Sequence, residues 1–247
     1  MILQALDFLH LYQTRNCTLQ VAGSDQWGNI TSGIELIRKK IDKTAYGMVM
    51  PLVTDSTGKK FGKTEGNALW LDKNKTSSYQ LYQYLINLED SMIIEYLKKL
   101  TFLDKEQIEE LEKKHNEHPE NREAHKALAR EIITDLHGID EYEKAKKLSE
   151  VLFTEDFKDL TKEEIEEIFE GNVIKTITTN NLIDILIEVG AAKSKRESRE
   201  FISGNAIKIN GEKVSDVEYL IEDKDYLDNT YIIIKRGKKN YYVGKKN

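Results

Sequence analysis

Four groups of residues in this 247-residue sequence have the types and spacing for chemistry. The first is Gly23-Ser24-Asp25-Gln26-Trp27-Gly28-Asn29. A glycine lets a ligand approach the backbone closely. Asp25 and Gln26 then offer a carboxylate acceptor and a mixed amide at the start of a helical run. Asp25 would serve equally as a helix N-cap, and spacing leaves both roles open. The second group is Lys59-Lys60-Phe61-Gly62-Lys63-Thr64, three lysines in one loop with Gly58 and Gly62. Cations there suit phosphoryl chemistry, where negative charge develops on the moving and leaving oxygens. A glycine-containing loop can close over phosphates and reopen. The P-loop spacing Gly-x-x-x-x-Gly-Lys-Ser/Thr is missing, and a solvated surface loop is the alternative.

The third group is Gln4 and Asp7, three residues apart and so on one helix face. A carboxylate can accept a phenol proton and an amide can hold an ammonium group; each residue also reads as an ordinary surface polar. The fourth is Lys193, Lys195, Arg196 and Arg199, of which Lys195, Arg196 and Arg199 fall within about one turn of a helix that Ser194 and Glu197 would cap. With Lys208, Lys213 and the terminal lysines they could track phosphates, or form a solvated basic face. Tyr231, Tyr241 and Tyr242 could stack on bases but fit a small core better.

Strand–turn–helix units must carry the first two groups. Residues 17–22 alternate like a strand, Ile30, Ile34 and Ile37 continue at helical spacing, and residues 46–53 read as a second strand ending near Pro51. This favours an α/β sheet with ligands near the carboxyl ends of the strands. Residues 1–12 have helical spacing with an abrupt, uncapped start. From Thr76 to Gly171 the pattern is a bundle of about five short helices, with Thr76 and Asp104 as N-caps, Gln107 completing a capping box, Pro119 in a first turn and Gly138 as a stop. Residues 172–180 read as a linker. Beyond it, two short helices and an Asn210-Gly211 hairpin form a compact α+β unit.

Composition bounds the rest. A hydrophobic fraction of 39% supports ordinary cores, and no stretch approaches the ~20 apolar residues needed to cross a bilayer. The first seven residues lack a basic region and a small-residue cleavage site, and the single cysteine, Cys17, cannot form an internal disulfide; the expected home is the cytoplasm. The five histidines are scattered, so no protein metal site is expected. The net charge of −6 conceals an acidic stretch at 101–170 and a basic end, whose last eighteen residues hold six Lys/Arg and no acid. The basic end is the candidate for a polyanionic partner.

Together the segments resemble the bacterial-type tyrosyl-tRNA synthetases, class I enzymes, in order over nearly the whole chain. Gly23–Asn29 is similar to a tyrosine-enzyme signature, Lys60-Phe61-Gly62-Lys63-Thr64 to this family's form of the class I Lys-Met-Ser-Lys-Ser loop, and Met50-Pro51-Leu52-Val53-Thr54 to the strand end that borders the adenine. The tail from about Asn181 resembles an RNA-binding domain shared with a small-subunit ribosomal protein. The resemblance implies an α/β remnant of a Rossmann-like class I catalytic domain (1–75), a helical tRNA anticodon-side domain (76–171), the linker, and a small α+β RNA-binding domain (181–247).

It also implies a reaction. Tyrosine carboxylate attacks the α-phosphate of ATP, with Mg2+, to give tyrosyl-adenylate and pyrophosphate, and the tyrosyl group passes to tRNA-Tyr. By position, Asp7 would accept the substrate phenol, Gln4 would hold its ammonium group, and Gln26 would contact the substrate side of the adenylate. Gly23, Asp25, Leu52, Val53 and Lys63 would bind ATP or adenylate. Lys60, Lys63 and Thr64 would stabilise the pyrophosphate-leaving transition state. Lys193, Lys195, Arg196, Arg199 and Lys208 would bind RNA. The family's early His-x-Gly-His segment does not occur, and Leu6 stands where an aromatic is common. Met1 therefore reads as an internal methionine, and the chain as an N-terminally truncated piece, inactive alone, of a homodimeric family. The alternatives are a catalytically inactive tRNA-binding module derived from such an enzyme and, less in keeping with the loop and tail, a tryptophan ligase.

Overall fold

A computed structural model describes residues 1–59, 63–64 and 67–247, with backbone alone at 63–64 and 67–68. These residues fall into two compact units, Met1–Leu69 with Glu89–Lys99, and Trp70–Leu88 with Leu100–Asn247.

In the first unit, α1 (Ile2–Arg15) precedes β1 (Leu19–Gly23), α2 (Trp27–Ile41) and β2 (Tyr46–Met50). The two strands pair in parallel, from Leu19 opposite Tyr46 to Gly23 opposite Met50. Parallel strands need a crossover, and α2 supplies it. β2 stops one residue before Pro51, which has no N–H for a ladder. Ile30 and Ile37 of α2 are fully buried, and Phe8, Ile37 and Ala45 form a small core with Leu9, Tyr12 and Ile34 against it. A Cβ on Gly33 would lie 2.8 Å from the Phe8 ring, so α1 and α2 cross where no larger residue fits. α1 starts without a side-chain cap, as its sequence suggests. The face of the strand pair away from α2 is apolar: Leu19, Val21, Tyr46, Met48 and Met50 are exposed side by side, and α1 adds exposed Ile2, Leu3 and Leu6.

A short hairpin, β3 (Lys63–Thr64) with β4 (Asn67–Ala68), follows. Between Thr76 and Gly171 the chain forms six α-helices where the periodicity suggests about five. α3 (Ser78–Ile86) opens the second unit, whereas α4 (Ile93–Leu100) lies mostly in the first, where the Tyr96 hydroxyl donates to Thr54 O at 3.0 Å. α5 (Lys105–Glu117), α6 (Glu123–His137), α7 (Ile139–Thr154) and α8 (Lys162–Ile168) complete the bundle around buried Leu81, Leu85, Leu128, Ile133 and Leu148. Asp104 and Gln107 form the expected capping box. Pro119 stands in the first turn of a short 3-10 helix, and Gly138 ends α6 at φ 96°. The N-cap of α3 is Ser77, boxed with Gln80, rather than Thr76. The Thr76 hydroxyl instead accepts from Trp70 N at 3.0 Å, a non-local bond that spacing does not reveal.

The end of the chain is a five-stranded sheet in the order β5 (Lys175–Ile177), β9 (Asn240–Lys246), β8 (Tyr231–Arg236), β6 (Ile207–Ile209), β7 (Glu212–Lys213), with α9 (Leu182–Glu188) and α10 (Lys195–Ser203). Ile177, Leu186, Ile202, Ile207, Ile232 and Ile234 are buried in its core. Asn210 and Gly211 take φ of 48° and 90° and turn the expected hairpin. The stretch expected to be a linker contributes β5, which pairs in parallel with β9. Only Ile177 of its three residues is buried, and its partner lies some seventy residues later, so no local pattern marks it.

This sheet is fixed to the bundle at the end of α7. Glu155, in a left-handed conformation at φ 61°, accepts from Lys208 Nζ and Lys235 Nζ, each at 2.5 Å. A Cβ on Gly211 would come within 2.0 Å of the Glu155 carbonyl oxygen, so the hairpin tip and the helix end meet backbone to backbone. The Tyr231 hydroxyl donates to Glu166; burial and then that carboxylate push the phenol up to about 12. The Phe157, Phe169 and Tyr241 rings pack at centroid distances of 5.7 to 6.5 Å.

The Lys208 and Lys235 ammonium groups hold the Glu155 carboxyl below its ordinary range. A depressed carboxylate contributes stability above its unfolded value, and loses it as pH falls through the folded one. Glu155→Gln should lower the stability of this unit by roughly 2 kcal/mol at neutral pH. The difference from the wild type should shrink in acid, as read by urea unfolding at pH 7 and pH 3.

Candidate functional site

The parallel register ends both strands at one level, and the residues that follow them converge. Gly23 closes β1 opposite Met50, and a 3-10 turn, Ser24–Gln26, leads into α2. A Cβ built on Gly23 would stand 2.8 Å from Leu52 Cδ2 and 2.9 Å from Asp25 Oδ1. Gly23, Asp25 and Leu52 are therefore neighbours, with Val53 adjoining and half-buried, at the carboxyl edge of the pair where open α/β sheets take ligands. The N-cap positions are Gly23 for the turn and Gln26 for α2, whose side chain makes no capping bond, so Asp25 lies inside the turn rather than at a cap.

Gln26 is oriented from both sides. Its Oε1 accepts from Asn29 Nδ2 at 2.7 Å, and its Nε2 lies 3.5 Å from Asp25 Oδ2. Asn29, which ends the Gly23–Asn29 motif one turn from Gln26, thus holds the Gln26 amide, a contact its spacing alone does not single out. Gln4 is half-buried and Asp7 exposed on α1, beside exposed Ile2, Leu3 and Leu6.

The lysine segment is entered through a built turn. Asp55 Oδ1 accepts from Thr57 N at 2.9 Å, Thr57 Oγ1 at 2.7 Å and Lys59 N at 2.9 Å, and Gly58 takes φ +85°. The Thr57 hydroxyl above all, then the Lys59 and Thr57 amides, hold the Asp55 carboxyl below its usual range. Lys60 lies outside the described residues. Lys63 and Thr64 are described as backbone in β3, Lys63 opposite Ala68 and Thr64 opposite Asn67.

In the second unit, Lys193, Lys195, Arg196 and Arg199 are exposed along α10 and its entry. Ser194 caps the helix by accepting from Glu197 N at 3.2 Å. The Glu197 carboxylate reaches Lys193 N, one residue before the position a capping box would use. Lys195 pairs with Asp184 at 2.7 Å and Arg196 with Glu200 at 3.0 Å, both on the surface. Lys208 is turned onto Glu155 instead. Arg236, another residue not singled out by sequence, donates to Ala191 O at 2.5 Å and lies over the Phe201 and Tyr242 rings.

Two family models match. That described as tRNA synthetases class I (W and Y) covers residues 1–154. The chain belongs to this family of class I tRNA synthetases. A model described as the tyrosine–tRNA ligase SYY-like C-terminal domain covers residues 164–243. The tyrosine–tRNA ligase of Staphylococcus haemolyticus is 49% identical over 245 residues, which are 98% of this chain and 58% of that protein. That of Staphylococcus carnosus is 48% identical over 248 residues, 99% of this chain and 59% of that protein. The chain thus spans under three fifths of these synthetases. Two crystal structures of C-terminally truncated mitochondrial tyrosyl-tRNA synthetases are similar. That of Coccidioides posadasii has a TM-score of 0.50 at 38% identity, over 59% of this chain and 42% of that one. That of Aspergillus nidulans has 0.51 at 31%, over 61% and 43%. The α/β segment, the bundle and the small terminal domain of the chain are parts of a class I synthetase.

The turn ahead of the synthetase's lysine loop has a direct check. Asp55→Ala should raise hydrogen exchange at the Thr57 and Lys59 amides by about threefold or more. In the wild type the same loosening should come in acid: the depressed carboxylate stays ionised above its ordinary value, near pH 4, and releases the turn as pH falls through its folded value.

Proposed function

We propose that this chain is the larger, C-terminal part of a tyrosine–tRNA ligase, an enzyme that activates tyrosine with ATP and transfers it to tRNA-Tyr. The observation that carries the reading is the near-50% identity to tyrosine–tRNA ligases across almost the whole chain. In this reading Gly23 and Asp25 contact the adenylate ribose, Leu52 and Val53 border the adenine, and Gln26, held by Asn29, faces the substrate side. Asp7 accepts the tyrosine phenol and Gln4 holds its ammonium group. Polar readout of the phenol discriminates strongly, because phenylalanine would leave the carboxylate without its partner. Lys60, Lys63 and Thr64 offset the charge that develops as pyrophosphate leaves, and Mg2+ travels with the nucleotide.

The apolar face of β1 and β2 supports the incomplete state of the catalytic part. Parallel sheets are covered on both faces, whereas Leu19, Val21, Tyr46, Met48 and Met50 stand exposed. Further strands and a covering layer would complete the sheet and its ligand-binding edge. The exposed Lys193, Lys195, Arg196 and Arg199 of α10 support tRNA binding by the terminal domain. No described helix is long and apolar enough to cross a membrane. A cytoplasmic, homodimeric enzyme is the expected whole.

The purified 247-residue chain should show no tyrosine-dependent ATP–pyrophosphate exchange, and should bind a tRNA-Tyr transcript with an affinity that falls steeply with salt. Robust exchange by the chain alone would overturn its reading as an incomplete catalytic part. No binding at low salt would overturn the role of the terminal domain.

A further inference from the structure

The Gln26 side chain sits between two neighbours that together decide which way its amide faces. Gln26 precedes α2, and Asn29 is the third residue of that helix. At this spacing a short N-cap side chain would accept from the backbone N–H. Gln26 makes no such bond, and its Oε1 accepts instead from Asn29 Nδ2 at 2.7 Å. On the other side Gln26 Nε2 lies 3.5 Å from Asp25 Oδ2. The second oxygen of Asp25, Oδ1, stands 2.9 Å from where a Cβ on Gly23 would be. The nitrogen end of the amide is therefore on the Gly23 side, and the oxygen end on the helix side.

The two contacts carry unequal weight. The ends of an amide are nearly alike in shape, and only hydrogen bonding separates them. The Asp25 carboxylate accepts and cannot donate, so it selects the NH2 end of Gln26. At 3.5 Å, the limit of a hydrogen bond, it holds that end weakly. The Asn29 contact is short, joins two half-buried side chains and fixes the amide plane. Turning the amide over would break it and set Oε1 against the Asp25 carboxylate. Nε2 carries two hydrogens, and Asp25 takes one at most. The second has no acceptor among the described residues.

We propose that Asn29 is a positioning residue that locks the Gln26 amide with its NH2 end toward the Gly23 edge, so that this edge offers a ligand a hydrogen-bond donor at position 26. The lock selects ligand chemistry. A group that meets Nε2 must accept, as a carboxylate, carbonyl or phosphoryl oxygen does; an ammonium group, which only donates, cannot use it. Without Asn29 the amide could present either end, and the edge would lose that preference. The identity of the ligand rests on the reading of this turn as the substrate side of an adenylate site. The sense of the amide is a property of the chain without ligand.

The test is NMR of the side-chain amides in the full chain with no ligand added, so its outcome is independent of what the site binds. In the wild type the Asn29 Nδ2 protons should exchange with water about fivefold more slowly than those of Asn116, an exposed asparagine of α5. The Gln26 Nε2 protons should show contacts to the Asp25 methylene and none to that of Asn29. Asn29→Asp keeps the shape and removes the donor. At pH 7 the Gln26 Nε2 protons should then gain contacts to the methylene at position 29. Asn29→Ala should leave the amide turning between its two senses, and the contact to the Asp25 methylene should fall to about half. The Ile37 amide of α2 should keep its wild-type protection in both variants. Wild-type Nε2 protons that contact the Asn29 methylene would overturn the proposal, as would an amide sense unchanged in both variants. Lost protection at Ile37 in both would overturn it too, by making Asn29 a support of the helix rather than of the amide.

Discussion

The parallel pairing that sets Gly23 opposite Met50 is the constraint on which the candidate site depends. It ends both strands at the same level, so that the Asp25 turn and the Pro51–Leu52 segment leave one edge side by side. The pairing depends on α2, whose buried Ile30 and Ile37 seat the crossover on the inner face. α2 in turn depends on Gly33, which lets Phe8 of α1 approach. Gln4 and Asp7 lie on that same α1. A bulkier residue at position 33 would separate the helices and so move the α1 polar pair relative to the turn, without touching any candidate site residue.

The same strand pair is the least self-sufficient part of the molecule. A two-stranded parallel sheet with one apolar face in water lacks the burial that stabilises such sheets. Burying a large apolar side chain contributes about 1.5–3 kcal/mol. Leaving Leu19, Val21, Tyr46, Met48 and Met50 half-exposed therefore forgoes several kcal/mol, a sizeable part of the stability of a small domain. The second unit also exposes single apolar side chains, Phe102 and Phe153 among them, but its terminal sheet has a core cluster of fifteen buried residues. The exposed α10 lysines and arginines thus belong to one unit, and the candidate site at the Gly23 edge to the one that needs further cover.

Much of this was legible in the sequence because the decisive signals are local. The strand–Gly23–helix transition, the Asp104–Gln107 box, the Gly138 stop and the Asn210-Gly211 turn each arise from a few adjacent residues and formed as expected. What escaped depends on partners distant in the chain. Thr76 has the residue type of a cap, yet its hydroxyl accepts from Trp70 N. β5 is a strand only because β9 is there to pair with. In the site, the Gly23–Asp25 proximity follows from the turn itself, whereas the approach of Leu52 needs the strand pairing. Asn29 stood in the motif unrecognised because its role is to hold Gln26 rather than to face outward.

The basic residues of the tail divide by burial rather than by sequence. Lys195 with Asp184 and Arg196 with Glu200 are exposed pairs, of a kind worth at most about 1 kcal/mol, so a phosphate can replace the carboxylate at little cost. Each such exchange also releases counterions from the nucleic acid, a gain that surface carboxylates cannot match. Lys208 and Lys235 are different. Their side chains are 31% and 13% exposed, and both meet Glu155, whose own exposure is 16%. Withdrawing either would leave a poorly solvated carboxylate with half its partners, a larger penalty than a surface phosphate contact repays. The exposed basic face is therefore α10 and its entry, and Lys208, equally basic in the sequence, works inward to hold the sheet on the bundle.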